Sequence, residues 1–392
     1  MLYSIALILI IGFIIGFIFE KIRIPKLVGM IIVGLFIGPY CLNLLDAKIL
    51  NISSELRQIA LVIILTRAGL SLDIASLKQI GRPALLMCFI PATFEIAGTA
   101  IFAPLFLGIN IFEALLLGSV LAAVSPAVIV PRMIKLQEQG YGKDRKVPEL
   151  LLVGSSADDV YVIVLFYSFI SLAQNQIFDF KAVALIPLSI ILGIILGIIF
   201  GLIIKYLFKR NAFNLATKIL IILSCSFVMI VIEESLKEFI SIASLLGIMT
   251  LGIVLNSKNK EEAKQIEVGY QQLWLFFEIF LFVLVGASVD LNHAWNYGMR
   301  AVFLILLVLC FRMIGVLLSL IKTKLSAKER IFCVFSYIPK ATVQASIGGI
   351  ALAMGLGVGN LVLTIAVLSI LITAPLGAFL IDNTYKKLLQ NH

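Results

Sequence analysis

The sequence predicts an all-α polytopic membrane protein of about 13 transmembrane helices, built as inverted-topology six-helix repeats with two interrupted, crossing helices. Three observations predict it. Of 392 residues, 61% are hydrophobic and 14% charged, with a mean hydropathy of +1.12; a soluble domain would be nearer ~45–50% apolar and ~25% charged. Apolar runs of about 17–25 residues, broken by charged or turn residues, recur along the chain, each long enough to cross a bilayer. The two halves also resemble each other at a shift of about 217 residues.

The first run, 2–19, has neither a basic leader nor a small-residue cleavage site and reads as a retained helix. The others are 27–45, 56–73, 83–107, 112–136, 149–172, 182–208, 213–233, 239–256, 271–290, 299–321, 329–354 and 358–381. On this division the whole chain is one transmembrane transporter unit. Residues 2–172 form the first six-helix repeat, 182–208 a linker helix, and 213–381 a second repeat of opposite orientation. Ala68-Gly69-Leu-Ser71-Leu-Asp73 answers Val285-Gly286-Ala-Ser288-Val-Asp290. Gly29 and Gly34 answer Gly247 and Gly252, Arg82 answers Arg300, and Glu95 answers Arg312. Glycines match by chance among apolar helices, so the G-x-S-x-D pattern carries more of this argument.

The formal charge of +9 reflects topology. Lysines and arginines gather in alternate loops (Lys21–Lys26, Lys78 and Arg82, Arg132–Lys146, Lys205–Lys218, Lys258–Lys264, Lys322–Arg330, Lys386 and Lys387), while the opposite side holds only Lys48, Arg57, Lys181, Lys237 and Arg300. That bias places the N-terminus outside and the C-terminus in the cytoplasm, in a cell membrane. No basic patch interleaved with aromatic residues points to nucleic acid. The five cysteines show no CxxC spacing and the only histidines are His293 and His392, so neither a disulfide framework nor a histidine metal site is indicated.

The chemistry concentrates in Leu151–Phe166, where Asp158 and Asp159 interrupt an apolar run. Carboxylates inside a membrane are expensive and mark ion or proton pathways; the blander alternative is a helix end in the headgroup region. Ser155 and Ser156 lie four and three residues before Asp159, on its stripe of the helix. Such oxygens suit a hard cation such as sodium or lithium, and a carboxylate also carries a proton.

Two spans at equivalent places are broken. Ser125-Pro126 and Pro131 interrupt the first; Pro339, with Lys340, Thr342, Gln344 and Ser346 nearby, interrupts the second. Backbone freed at this depth is tolerated where it is buried in protein or lines a site; simple kinks in packing helices are the alternative. Lys340 needs an anionic partner, and charge balance offers one of the two aspartates, leaving the other to alternate between proton and cation. Glu95 and Arg312 suggest a structural salt bridge across the repeat axis. Span 2–19, apolar on every face and with Gly12 and Gly16 four apart, suggests packing against a partner subunit. Glu278 has no evident partner in the sequence.

On Ala123-Val-Ser125-Pro126-Ala-Val-Ile-Val-Pro131, Ala157-Asp158-Asp159 and Ile338-Pro339-Lys340-Ala-Thr342-Val-Gln344-Ala, the chain resembles the cation/proton antiporters of the double-aspartate branch. That group contains NhaA and NapA, and the likeness is closest to the NHA-type sodium/proton exchangers. Weaker support lies in Ile24-Pro25 through Gly34-Leu-Phe-Ile-Gly38-Pro39. The resemblance implies an NhaA/NapA-like fold, a homodimer, and elevator-type exchange of sodium (or lithium or potassium) for protons, serving pH homeostasis. It implies neither enzymatic activity nor a cofactor. Asp159 would then carry cation and proton, Asp158 would partner Lys340, and Glu95–Arg312 would be a bridge of the NHA group. One departure is Ser125, which stands where NhaA-like proteins carry an acid in the first broken helix. The chain ends shortly after Lys386, so no soluble nucleotide-binding domain is expected, unlike the potassium-efflux and potassium-uptake relatives.

Other readings compete. Potassium/proton exchange and organic-anion/sodium symport are the alternatives within transport. An intramembrane aspartyl protease would need carboxylates facing each other from separate helices. A channel would need polar residues spread along its spans.

Overall fold

The computed structural model describes residues 1–71, 81–175, 180–236, 242–257 and 260–390, and among these every regular element is a helix. Apolar segments in hydrocarbon must satisfy their own backbone, which the helix does within a single segment. In order they are α1 (Leu2–Lys21), α2 (Lys26–Ile37), α3 (Ala47–Asn51), α4 (Ser53–Ser71), α5 (Arg82–Met87) and α6 (Ile90–Leu107). Then follow α7 (Ile111–Leu121), α8 (Pro126–Glu138), α9 (Val147–Asn175), α10 (Phe180–Arg210), α11 (Leu215–Leu236) and α12 (Ser244–Asn256). The last are α13 (Lys260–Ala287), α14 (Leu291–Ser319), α15 (Ala327–Ser336), α16 (Thr342–Ile347), α17 (Ile350–Ala353) and α18 (Gly359–Leu388). Among the described residues, eight helical stretches are long and apolar enough to cross a membrane, and shorter apolar helices include Lys26–Ile37 and Ser244–Asn256. Asp73, the side chain of Ser156 and the start of the expected span 239–256 lie outside the described residues.

Two expected spans are shorter or less continuous than the sequence suggests. The run 27–45 is helical only to Ile37, because Gly38 turns to extended backbone (ψ 172°) and Pro39 has no N–H with which to continue. The run 83–107 is split at Cys88 and Phe89, and Pro91 sits in the first turn of α6, where its missing N–H costs nothing.

The helices form two compact units, Met1–Ser54 with Ala75–Gln176 and Ile279–His392, and Glu55–Ile74 with Ile177–Glu278. Each draws on both halves of the sequence, so the units cut across the expected repeats. Each also contains a close helix crossing built on a pair of glycines that the repeat shift relates to the pair in the other unit. In the first unit Gly286 rests on the carbonyl of Ile31 and on Gly34. In the second, Gly69 rests on the carbonyl of Met249 and on Gly252. A Cβ at Gly34, Gly69 or Gly286 would run into backbone of the facing helix, so only glycine allows this approach. The two crossings map onto each other under the repeat shift, each pairing a glycine of the G-x-S-x-D match (Gly286, Gly69) with one of the glycines given little weight in the sequence (Gly34, Gly252).

The broken helices start alike. Asn110 caps α7 and accepts from Glu113 N (2.9 Å), while Glu113 Oε2 accepts from Asn110 N (2.9 Å). Ser326 and Glu329 form the same reciprocal box at α15. In α1 the buried face is Ser4, Ile8, Gly12 and Gly16. Gly12 packs on Ile279 and Val283 and Gly16 on Met30, all within the same unit. The two glycines themselves are thus used within the chain, where small residues let neighbouring helices approach.

Candidate ion-binding site

Every site residue singled out in the sequence lies in the first unit. Between α7 and α8 the chain leaves helical geometry, Ser125 being extended (φ −91°, ψ 111°) ahead of Pro126. A proline here withholds one donor and blocks the preceding turn, so α7 ends with bare carbonyls at Leu121, Ala122 and Ala123. All three are met by side chains. Lys340 Nζ and Arg312 Nη1 donate to Leu121 O and Ala122 O, and Gln344 Nε2 donates to Ala123 O at 2.8 Å. Cations at a helix C-terminus also meet the negative end of its dipole. The freed donors are used too: Val124 N donates to Asp158 Oδ2 (2.8 Å) and Ser125 N to Pro339 O (2.8 Å). That last bond ties one break directly to the other.

Four buried charges form a chain through this centre. Arg312 Nη1 reaches Glu95 Oε2 at 3.0 Å and its Nη2 reaches Asp158 Oδ2 at 2.8 Å. Lys340 Nζ reaches Glu95 Oε1 at 2.7 Å. The order is Lys340–Glu95–Arg312–Asp158, with two charges of each sign. The Glu95–Arg312 contact expected from the repeat is present. The expected pairing of Lys340 with Asp158 is not: Lys340 takes Glu95, and Arg312 takes Asp158. The guanidinium explains this, because its planar fork can hold two carboxylates at once while the compact ammonium holds one. Lys340 is further fixed through its backbone, its N–H donating to Thr373 Oγ1 at 3.0 Å.

Asp159 stands apart from this chain of pairs. It is 7% exposed, and its Oδ1 has no hydrogen-bond partner; nor do Asp158 Oδ1 or Ser125 Oγ. Orphaned acceptor oxygens in a buried site suit a cation with oxygen ligands or a proton. Ser155 is fully buried and donates back to Leu152 O (3.2 Å), leaving its lone pairs as acceptors. Thr342 opens α16 and its carbonyl is taken by Ser346 Oγ (2.7 Å). Pro126 opens α8, and Pro339 accepts the Ser125 bond, so both prolines sit at the breaks.

Residues 5–384 match the model of the family described as "Sodium/hydrogen exchanger, transmembrane". The chain belongs to this family. It is 32% identical over 388 residues to the sodium/hydrogen exchanger 9B2 of Mus musculus, covering 94% of this chain and 69% of that protein. It is 34% identical to the mouse sodium/hydrogen exchanger 9B1, over 99% of this chain and 71% of the relative. A solved structure, that of the sodium proton antiporter MjNhaP1 from Methanocaldococcus jannaschii, matches with a TM-score of 0.86. It is 20% identical and covers 98% of this chain and 97% of that one. Such a likeness shows the antiporter fold.

Within this family member, three contributors to the site were not assigned a part from the sequence. Gln344 was legible as a polar residue in an apolar run, but nothing in one sequence shows that it caps Ala123 O. Thr373 lies in a span of ordinary appearance. Tyr337 precedes the second break, and the Arg312 guanidinium lies over its ring, 5.4 Å from the centroid. Glu278, for which the sequence offered no partner, is buried in the second unit.

Proposed function

We propose that this chain is a secondary transporter, not an enzyme, and exchanges sodium (or lithium) for protons across the cell membrane, with Asp159 as the group that binds either one. The observation that carries this reading is the charge pattern of the buried centre. Glu95 and Asp158 have cationic partners, whereas Asp159 has none within ion-pair distance among the described residues. Three carboxylates against two cations leave one negative charge, which one monovalent cation or one proton neutralises. The pairing of Lys340 with Glu95 makes it a charge compensator within the network.

We also read the chain as 13 spans in two inverted repeats, N-terminus outside, working as a homodimer. The symmetric glycine crossings and the matching capping boxes support the repeats. Because the whole network lies in one compact unit, it is suited to travel as one body in an elevator-type cycle. Asp159 Oδ1, Asp158 Oδ1, Ser125 Oγ and the Ser155 hydroxyl are the candidate ligands; Thr342 contributes from the second break.

Competition for one carboxylate has a kinetic signature. Below the pH at which the group ionises, the apparent cation KM rises about tenfold for each pH unit, and above it the KM is independent of pH. The test is dissipation of a pH gradient by added sodium in proteoliposomes, with KM measured across pH. A KM flat over two acidic pH units would contradict direct competition.

A further inference from the structure

Tyr337 is fully buried beside the network, yet its hydroxyl has no hydrogen-bond partner. An unsatisfied buried hydroxyl is a cost, so something other than the hydroxyl holds this side chain in place. Two contacts do. The carbonyl of Tyr337 accepts from Arg312 Nε at 2.9 Å, and its ring lies under the guanidinium. A cation over an aromatic face in a desolvated site is favourable and fixes the plane of the guanidinium. The far edge of the ring meets α9 at Gly154, where an added Cβ would collide with the tyrosine oxygen. Gly154 is one helical turn before Asp158, on the same face. The ring therefore spans the distance between the arginine and the helix turn that bears its carboxylate partner.

We infer that Tyr337 is a positioning residue for exchange: wedged on Gly154, it sets the guanidinium of Arg312 so that the charge of Asp158 stays compensated and Asp159 is the carboxylate whose charge the cation or proton neutralises. This rests on the reading of Asp159 as the carrier. If Arg312 swings away, Asp158 and Asp159 become adjacent uncompensated carboxylates, and like charges in one site favour protonation. The groups around Asp158 are Arg312 from α14, Lys340 from the second break, Cys88 from the break before α6, the N–H of Val124, and its neighbour Asp159. Of these, Arg312 is the one in direct ionic contact. Displacing it therefore moves the onset of exchange to higher pH.

The geometry offers an internal rescue. Gly154→Ala clashes with the tyrosine oxygen, but in Gly154→Ala/Tyr337→Phe the nearest atoms to the new methyl become Met87 Cβ at 3.1 Å and the ring Cζ at 3.4 Å. The experiment measures sodium KM against pH in proteoliposomes, and melting temperature in detergent, for wild type, Gly154→Ala, Tyr337→Phe, the double variant and Tyr337→Leu. Tyr337→Phe should keep the wild-type profile and melt no lower. Gly154→Ala should shift the onset of exchange upward by about one pH unit, equivalent to a KM about tenfold higher at a fixed acidic pH. The double variant should return to the wild-type profile. Tyr337→Leu, which leaves Gly154 unobstructed but removes the ring, should shift like Gly154→Ala, so the inference stays testable if Gly154→Ala does not fold. An unshifted profile in Gly154→Ala or Tyr337→Leu, a double variant no better than Gly154→Ala, or a shift caused by Tyr337→Phe alone would each overturn it. Should wild type fail to move protons with sodium, the exchange reading falls, and the melting temperatures decide this one: restoration in the double variant upholds the wedge, additive losses overturn it.

Discussion

The break after Leu121 and the break after Ser336 occupy equivalent places in the two halves of the chain, and both follow a helix opened by a capping box. Their chemistry is opposite. The first presents acceptors, the carbonyls of Leu121, Ala122 and Ala123, and has no charged side chain of its own. The second brings Lys340 and, just beyond it, Gln344, both of which donate to the first. The two openings in the backbone are similar; the side chains then divide the work, so that one break satisfies the other. Arg312 joins both, donating to Ala122 O and to Tyr337 O. A breach of either break is thus a breach of both.

The strongest way to break this complementarity is to remove Arg312. Arg312→Ala leaves Asp158 without a paired cation, Glu95 with Lys340 alone, and two carbonyls without their donor, and breaking one partner of a buried pair already costs about 3–5 kcal/mol. Its loss, measured by chemical or thermal denaturation in detergent, should exceed that of Lys340→Ala, which strands Glu95 on one side only. Arg312→Lys should recover little, because an ammonium cannot span both carboxylates. Equal losses for Arg312→Ala and Lys340→Ala would show that the two cations are interchangeable.

A smaller effect sharpens the same comparison. Gln344→Leu removes one neutral donor from Ala123 O and should cost about 1–3 kcal/mol, the penalty for an orphaned buried carbonyl. The smallest is at the surface of the same unit. Arg132 and Asp382 pair through two bonds of 3.0 Å, but their side chains are 21% and 44% exposed. Arg132→Ala should therefore change stability by about 0–1 kcal/mol. A loss as large as that of Gln344→Leu would mean that burial does not set the ranking.

How much of this was legible in the sequence depends on what kind of signal each feature leaves. Helices and breaks leave strong ones: long apolar runs, and prolines at 126 and 339. Glu95 and Arg312 could be paired because the repeat shift places one opposite the other, and they are indeed 217 residues apart and in contact. The partner of Lys340 could not be read, since which of several buried carboxylates an ammonium meets is decided by helix packing. Asp158 was the nearest sensible choice; Arg312 already holds it. The interruption at Cys88 and Phe89 carries one signal, Pro91, but a single proline in an apolar run does not distinguish a helix start from a kink. Gly34 and Gly252 looked like background because apolar helices are rich in glycine, whereas Gly69 and Gly286 stood out within the G-x-S-x-D match; only the contacts show that each of the first pair faces one of the second.

The central claim is that adjacent carboxylates have different duties: Asp158 belongs to the ionic chain and Asp159 to the transported ions. The most direct measurement compares sodium-driven proton movement in proteoliposomes of Asp159→Asn and Asp158→Asn, alongside their melting temperatures. The account predicts that Asp159→Asn abolishes exchange with its melting temperature maintained. It predicts that Asp158→Asn retains part of the exchange but melts lower, because Arg312 loses a partner. Near-normal exchange by folded Asp159→Asn would contradict it.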